Sequence, residues 1–116
     1  FVENWSGKRI GVIGAPGDRR DEDFVTLGQL SVKMFDQMIV KEDDDTRGRA
    51  RGDVADRIAK GISEANAKAA YQIILDETTA IESALDQAEA GSLVVILPES
   101  VSRAIRLIRA RNPIEG

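Results

Sequence analysis

Ile10-Gly11-Val12-Ile13-Gly14-Ala15-Pro16-Gly17-Asp18-Arg19-Arg20-Asp21-Glu22-Asp23 decides how this chain folds. Residues 10–15 form a continuous apolar run, the pattern of a strand covered on both faces. Residues 24–35 form an amphipathic run that reads as a helix. The turn between them carries four carboxylates (Asp18, Asp21, Glu22, Asp23) and the guanidiniums of Arg19 and Arg20. A plain connection needs only a glycine, a proline and a cap. Charge at the carboxyl end of a parallel strand is where open α/β sheets bind their ligands.

Working outward, three more apolar runs occur at residues 38–40, 71–75 and 93–97, with helical stripes between them. Phe24, Leu27, Leu30 and Met34 share one expected helix face. Val54, Ile58 and Ile62 step by four. Ile81, Ala84, Leu85 and Ala88 form a third stripe, and Val101, Ala104, Ile105 and Ile108 a fourth. Thr79 with Glu82 fits a capping box, and Gly91 suits the end of that helix. Pro98 suits the first turn of the last helix, and Pro113 its end. The residues at 1–5, Phe-Val-Glu-Asn-Trp, read as the tail of a helix. The order β-α-β-α-β-α-β-α with right-handed crossovers predicts an α/β fold, a doubly wound, mostly parallel sheet.

The chain has 116 residues and a net charge of −4, sufficient for one domain and contrary to the basic stripe of a nucleic-acid or membrane-surface module. Arginine supplies 11 of the 16 basic residues, which favours bidentate contacts to carboxylates and phosphates. Cysteine and histidine are both lacking, so these residues house no thiol chemistry, zinc-thiolate site or serine–histidine hydrolysis. No apolar run is long enough to span a bilayer and no secretory leader is visible, so a cytoplasmic location is expected.

The charged residues fall after strands. Asp18, Arg19, Arg20 and Asp21 follow the first. Glu42, Asp43, Asp44, Asp45, Arg47 and Arg49 follow the second, in the loop KEDDDTRGRARGD at residues 41–53. Asp76 and Glu77 follow the third, and Glu99 the fourth. Parallel strands deliver all these connections to one rim, so the charges are expected to converge. The glycine-rich turn lacks the Gly-Lys-Ser/Thr of a phosphate loop and the glycines of a dinucleotide fingerprint. Residues 42–45 offer oxygens to Mg²⁺, but consecutive loop acids more often sit solvated. A response-regulator site would need a lysine where Pro98-Glu99 stands. A ligand with both charge signs suits the mixture better, since carboxylates grip cations and arginines grip carboxylates. The plain alternative is acids favouring a helix N-terminus and solvated arginines. Arg103, Arg106 and Arg109 read as a solvated face.

Residues 7–20 and the stretch EDDDTRGR at 42–49 resemble the C-terminal domain of Mur-type ligases, and APGDRRDED at 15–23 is the most specific match. In the family's tripeptide synthetases the turn reads Gly-Gly-Asp-Arg-Asp, matched here by Gly17, Asp18 and Arg19. Their Asp-Asn-Pro-Arg motif, which contacts the incoming amino acid, falls on residues 43–47. Asp44 and Asp45 replace its asparagine and proline, and its arginine is displaced by one place to Arg47.

The resemblance implies a Rossmann-like domain over residues 1–116 that lacks the family domain's first strand, as a truncated fragment of a multidomain enzyme. It implies a substrate-binding lid of an ATP-dependent amide-forming ligase, inactive alone, with ATP and Mg²⁺ held mainly by a preceding central domain. The branch of the family that the chain more closely resembles adds arginine to the aspartate side chains of a poly-aspartate backbone through an acyl phosphate. Arginine, ATP, a β-Asp-Arg primer and the central domain are then the expected partners, and the full-length enzyme a homo-oligomer. Substrate or ATP contacts are expected from Asp18, Arg19, Arg20, Asp21, Asp43, Asp44, Asp45, Arg47, Arg49 and Glu99, with no certain catalytic residue. A peptidoglycan ligase domain and a non-enzymatic small-ligand module are the alternatives.

Overall fold

A computed structural model describes residues 2–111. A single 3₁₀ turn, Val2–Asn4, precedes four strands and four helices in strict alternation. These are β1 Arg9–Ile13, α1 Asp21–Met34, β2 Gln37–Val40, α2 Asp53–Ala65, β3 Ala70–Ile73, α3 Glu77–Gln87, β4 Leu93–Ile96 and α4 Val101–Arg111. All pairings are parallel, in the order β3-β2-β1-β4. The doubly wound α/β fold is as expected. The expected helix at the N-terminus is only the 3₁₀ turn, and Pro113 lies outside the described residues.

Strand pleat splits the core in two. Ile13, Met38 and Val40 face α1 and α2, where Phe24, Val54, Ile58 and Ile62 are buried. Ile10, Val12 and Ile39 face α3 and α4, where Ala80, Ile81, Ala84 and Ala104 are buried. The chain steps from β1 through β2 to β3 on one side, then returns across the sheet to β4 beside β1. The connections leaving β1 and β4 therefore part to opposite faces, which opens a crevice at their carboxyl ends.

Several expectations need correction. Coverage on both faces holds for β1 and β2 only, because β3 and β4 are edge strands; β3 is exposed throughout. In α1 the buried face is Phe24, Gly28 and Ser31, while Leu30 is exposed. The cause is a close crossing of α1 and α2, where Gly28 meets the Ile58 carbonyl and Gly61 meets the Val25 carbonyl with no room for a Cβ. In α3 the cap is Asp76, whose carboxylate accepts from the Thr79 N–H at 3.0 Å, so Thr79 sits one turn inside the helix. That helix ends at Gln87, and Gly91 instead turns the chain into β4 at φ 85°. Ser100 accepts from the Arg103 N–H at 3.2 Å and opens α4, leaving Pro98 in the approach to it. Only Ala104 of the α4 stripe is buried; Val101, Ile105 and Ile108 are exposed. Among the described residues no helix is long and apolar enough to cross a membrane.

Candidate functional site

The crevice between β1 and β4 holds a cavity of about 550 Å³. Gly14, Ala15 and Pro16 form one wall, Leu97, Pro98 and Glu99 the opposite one, and Lys41, Asp43, Arg47 and Arg19 complete it. Gly14 is required locally, because a Cβ there would press on the Lys41 carbonyl at 2.8 Å and on its side chain at 2.9 Å. The turn after β1 and the loop after β2 are tied by Arg49. Its Nε donates to the Gly17 carbonyl at 2.7 Å and its Nη2 to the Arg19 carbonyl at 2.8 Å. Its guanidinium also lies 4.8 Å over the Phe24 ring, a cation–π contact.

Beneath the cavity lies a buried ion-pair network that crosses the sheet. Lys41, at the end of β2, is 1% exposed and places Nζ 2.9 Å from Asp43 and 2.7 Å from Glu77. Glu77, equally buried, receives Arg103 Nη2 at 2.5 Å and the Glu99 N–H at 2.7 Å. Burial pushes the Glu77 carboxyl up, but the bonds from Lys41, Arg103 and Glu99 outweigh it and hold the group below the ordinary glutamate range. Glu99 in turn accepts from the Asp44 N–H at 2.9 Å, which fixes the second-strand loop against the β4 end.

The structure draws Arg19, Asp43, Arg47 and Glu99 into the cavity lining. Asp18 joins them at the edge, 3.6 Å from Arg47 Nη1, and Asp45 braces the same arginine at 3.1 Å. Asp44 points its carboxylate at Arg103, 3.3 Å away. Arg20, Asp21 and Arg49 lie apart from the lining. Arg20 pairs with Asp23 at 3.0 Å at the start of α1, in a reciprocal cap that holds the Asp23 carboxyl below the usual range. Asp21 pairs with Arg49 at 2.9 Å and Arg57 at 3.4 Å. Sequence reasoning missed Lys41, Glu77 and Arg103 as site residues. A buried lysine has no local signature, and Arg103 shares the spacing of a solvated face; instead it is the half-buried partner of Glu77.

The acids at 42–45 do not fit a metal. Glu42 accepts from the N–H groups of Gly52 and Ala55 at 2.9 Å and so caps α2, while Asp43, Asp44 and Asp45 diverge to Lys41, Arg103 and Arg47. Among the described residues no group of three metal-ligating side chains converges. The cavity can instead receive a cation at Asp43 and Glu99 and an anion at Arg19 and Arg47, so it suits a ligand carrying both signs.

Residues 1–100 match the family described as Mur ligase, glutamate ligase domain. Over 98% of its length the chain is 61% identical to a cyanophycin synthetase from Crocosphaera subtropica, covering 13% of that protein. It is 63% identical over 99% of its length to a cyanophycin synthetase from a Nostoc species, again covering 13%. A UDP-N-acetylmuramyl-tripeptide synthetase from Borreliella burgdorferi is 34% identical over 79% of this chain and 18% of that protein. The chain thus spans about an eighth of the length of the cyanophycin synthetases it matches. A solved structure of UDP-N-acetylmuramoyl-L-alanyl-D-glutamate–2,6-diaminopimelate ligase superposes with a TM-score of 0.74 over 94% of this chain and 25% of that one. At 21% identity that likeness concerns the fold alone.

Proposed function

We propose, from the premise that this chain belongs to the Mur ligase, glutamate ligase domain family, that it is the substrate-binding lid of a cyanophycin synthetase. In this reading residues 1–116 are one domain of a multidomain, ATP-dependent carboxylate–amine ligase. The enzyme adds arginine to an aspartate side chain of a poly-aspartate backbone. The aspartate carboxylate takes the terminal phosphoryl group of ATP, which would be held with Mg²⁺ mainly by a central domain, and ADP leaves. The arginine amine then displaces phosphate from the acyl carbon and loses a proton as the amide forms.

The observation that carries the reading is the placement of opposite charges across one cavity at the sheet's switch point. Asp43 and Glu99 offer paired carboxylates to a guanidinium, whose planar fork matches them. Arg19 and Arg47 offer the complementary grip on a carboxylate. Neither histidine nor cysteine is present, so the domain's share of catalysis is orientation and electrostatics, completed when it closes on its neighbour.

The test is phosphate release by the full-length enzyme with ATP, arginine, aspartate and a β-Asp-Arg primer. Release that depends on both arginine and primer is expected, and Asp43→Asn should raise the arginine KM. Turnover with a muramyl peptide acceptor and none with the primer would overturn the reading.

A further inference from the structure

Glu77 is the buried carboxylate around which the cavity wall is organised, yet it does not line the cavity. It stands at the first position of α3 and collects groups from three other segments. These are Lys41 from the end of β2, the Glu99 N–H from the loop after β4, and Arg103 from α4. Lys41 is shared with Asp43, and Arg103 with Asp44 and, at 3.7 Å, Glu99. Two cations therefore serve four carboxylates. Without Glu77, Lys41 would give its whole charge to Asp43, and Arg103 would close on Asp44 and Glu99. The acids facing the cavity would then be neutralised by their own neighbours.

An ion pair this deep carries a desolvation cost that apolar packing would avoid, so its presence calls for a role beyond stability. We propose that Glu77 is a positioning residue that determines specificity for a cationic substrate. It takes up the charge of Lys41 and Arg103, so that Asp43 and Glu99 face the cavity with acceptor capacity to spare for a guanidinium or ammonium group. This rests on the cavity being the amino-acid site proposed above. The surplus of negative charge is held in place by geometry, because Glu77 ties the ends of β2 and β4 to the start of α3, and with them the loops that carry the lining acids.

The experiment uses the full-length ligase and compares Glu77→Gln, Glu77→Asp and Asp43→Asn. Glu77→Gln is expected to raise the arginine KM about tenfold, with kcat and the ATP KM within about twofold, the split expected when binding is lost equally from the ground state and the transition state. Glu77→Asp, which keeps the charge, recovers part of that loss. Equal increases in the arginine and ATP KM, or an unchanged arginine KM, would overturn the inference. An effect from Asp43→Asn with none from Glu77→Gln overturns this inference alone, whereas silence from both also removes the reading of the cavity. If Glu77→Gln does not fold, Arg103→Gln breaks the same tie from its more exposed end. It removes one of the two cations that compete for the lining acids, so it should lower the arginine KM selectively, and a rise or an unselective change would refute the role.

Discussion

Lys41 Nζ lies 2.7 Å from Glu77 Oε1, and both side chains are 1% exposed. The two residues stand 36 positions apart, one at the end of β2 and one at the start of α3. Removing Lys41 strips the buried carboxylate of its one fully buried cation and leaves it the partly exposed Arg103. Lys41→Met is therefore expected to cost about 3–5 kcal/mol in urea unfolding, the range for broken buried pairs. A loss below about 1 kcal/mol would show that solvent reaches the site.

The same pair sets an acid limit. The Glu77 carboxyl is depressed in the folded chain, so the unfolded chain binds its proton first as pH falls. The contribution is complete above the ordinary value of 4.5 and is lost as pH drops through the lower native value. Asp36 and Asp76 are depressed too, Asp36 chiefly by bonds from Arg9 and Asp76 by bonds from Thr79, and they add to the same trend. Glu77→Gln should flatten the fall in unfolding free energy below about pH 5. An unchanged slope in acid unfolding curves would contradict the assignment.

Gly28→Ala and Gly61→Ala should each destabilise by about 1–3 kcal/mol, as overpacking does. Helix propensity alone favours alanine by up to about 1 kcal/mol. At these positions the Cβ would enter the carbonyl oxygens of Ile58 and Val25, which are backbone and cannot step aside. Denaturant midpoints decide between the two effects, and a raised midpoint for either variant would mean the helices part easily.

Arg49→Lys keeps the charge but loses the fork. Arg49 meets the Gly17 and Arg19 carbonyls and also Asp53, at 2.6 Å, and no ammonium spans that set. Faster amide exchange at residues 17–20 is expected, with protection in β2 retained. Unaltered exchange in that turn would show that it holds without the clamp.

Arg47→Ala should separate binding from stability. Arg47 is half-exposed and its bridges to Asp18 and Asp45 lie at the surface, where such pairs contribute at most about 1 kcal/mol. Its φ of 52° is unusual for a residue other than glycine, and the residue lines the cavity. Unfolding should change little while the amino-acid KM of the full-length enzyme rises. A large loss of stability with unchanged KM would reverse the assignment.

The alternation of strands and helices, the parallel sheet and the gathering of charge on one rim were all legible in the residues. Apolar runs and 3.6-residue stripes are local patterns, and parallel connectivity sends every strand's exit to the same side. Asp18, Arg19, Asp43, Arg47 and Glu99 could be placed on that rim without coordinates. Which of the charges share a cavity could not, because that depends on β4 lying beside β1, so that Glu99 faces the turn after β1. The burial of Lys41 and Glu77 was hidden for a related reason. A carboxylate at a helix start and a lysine at a strand end look solvated in sequence. Only long-range packing takes them out of water, and it does so because each supplies the other's missing charge.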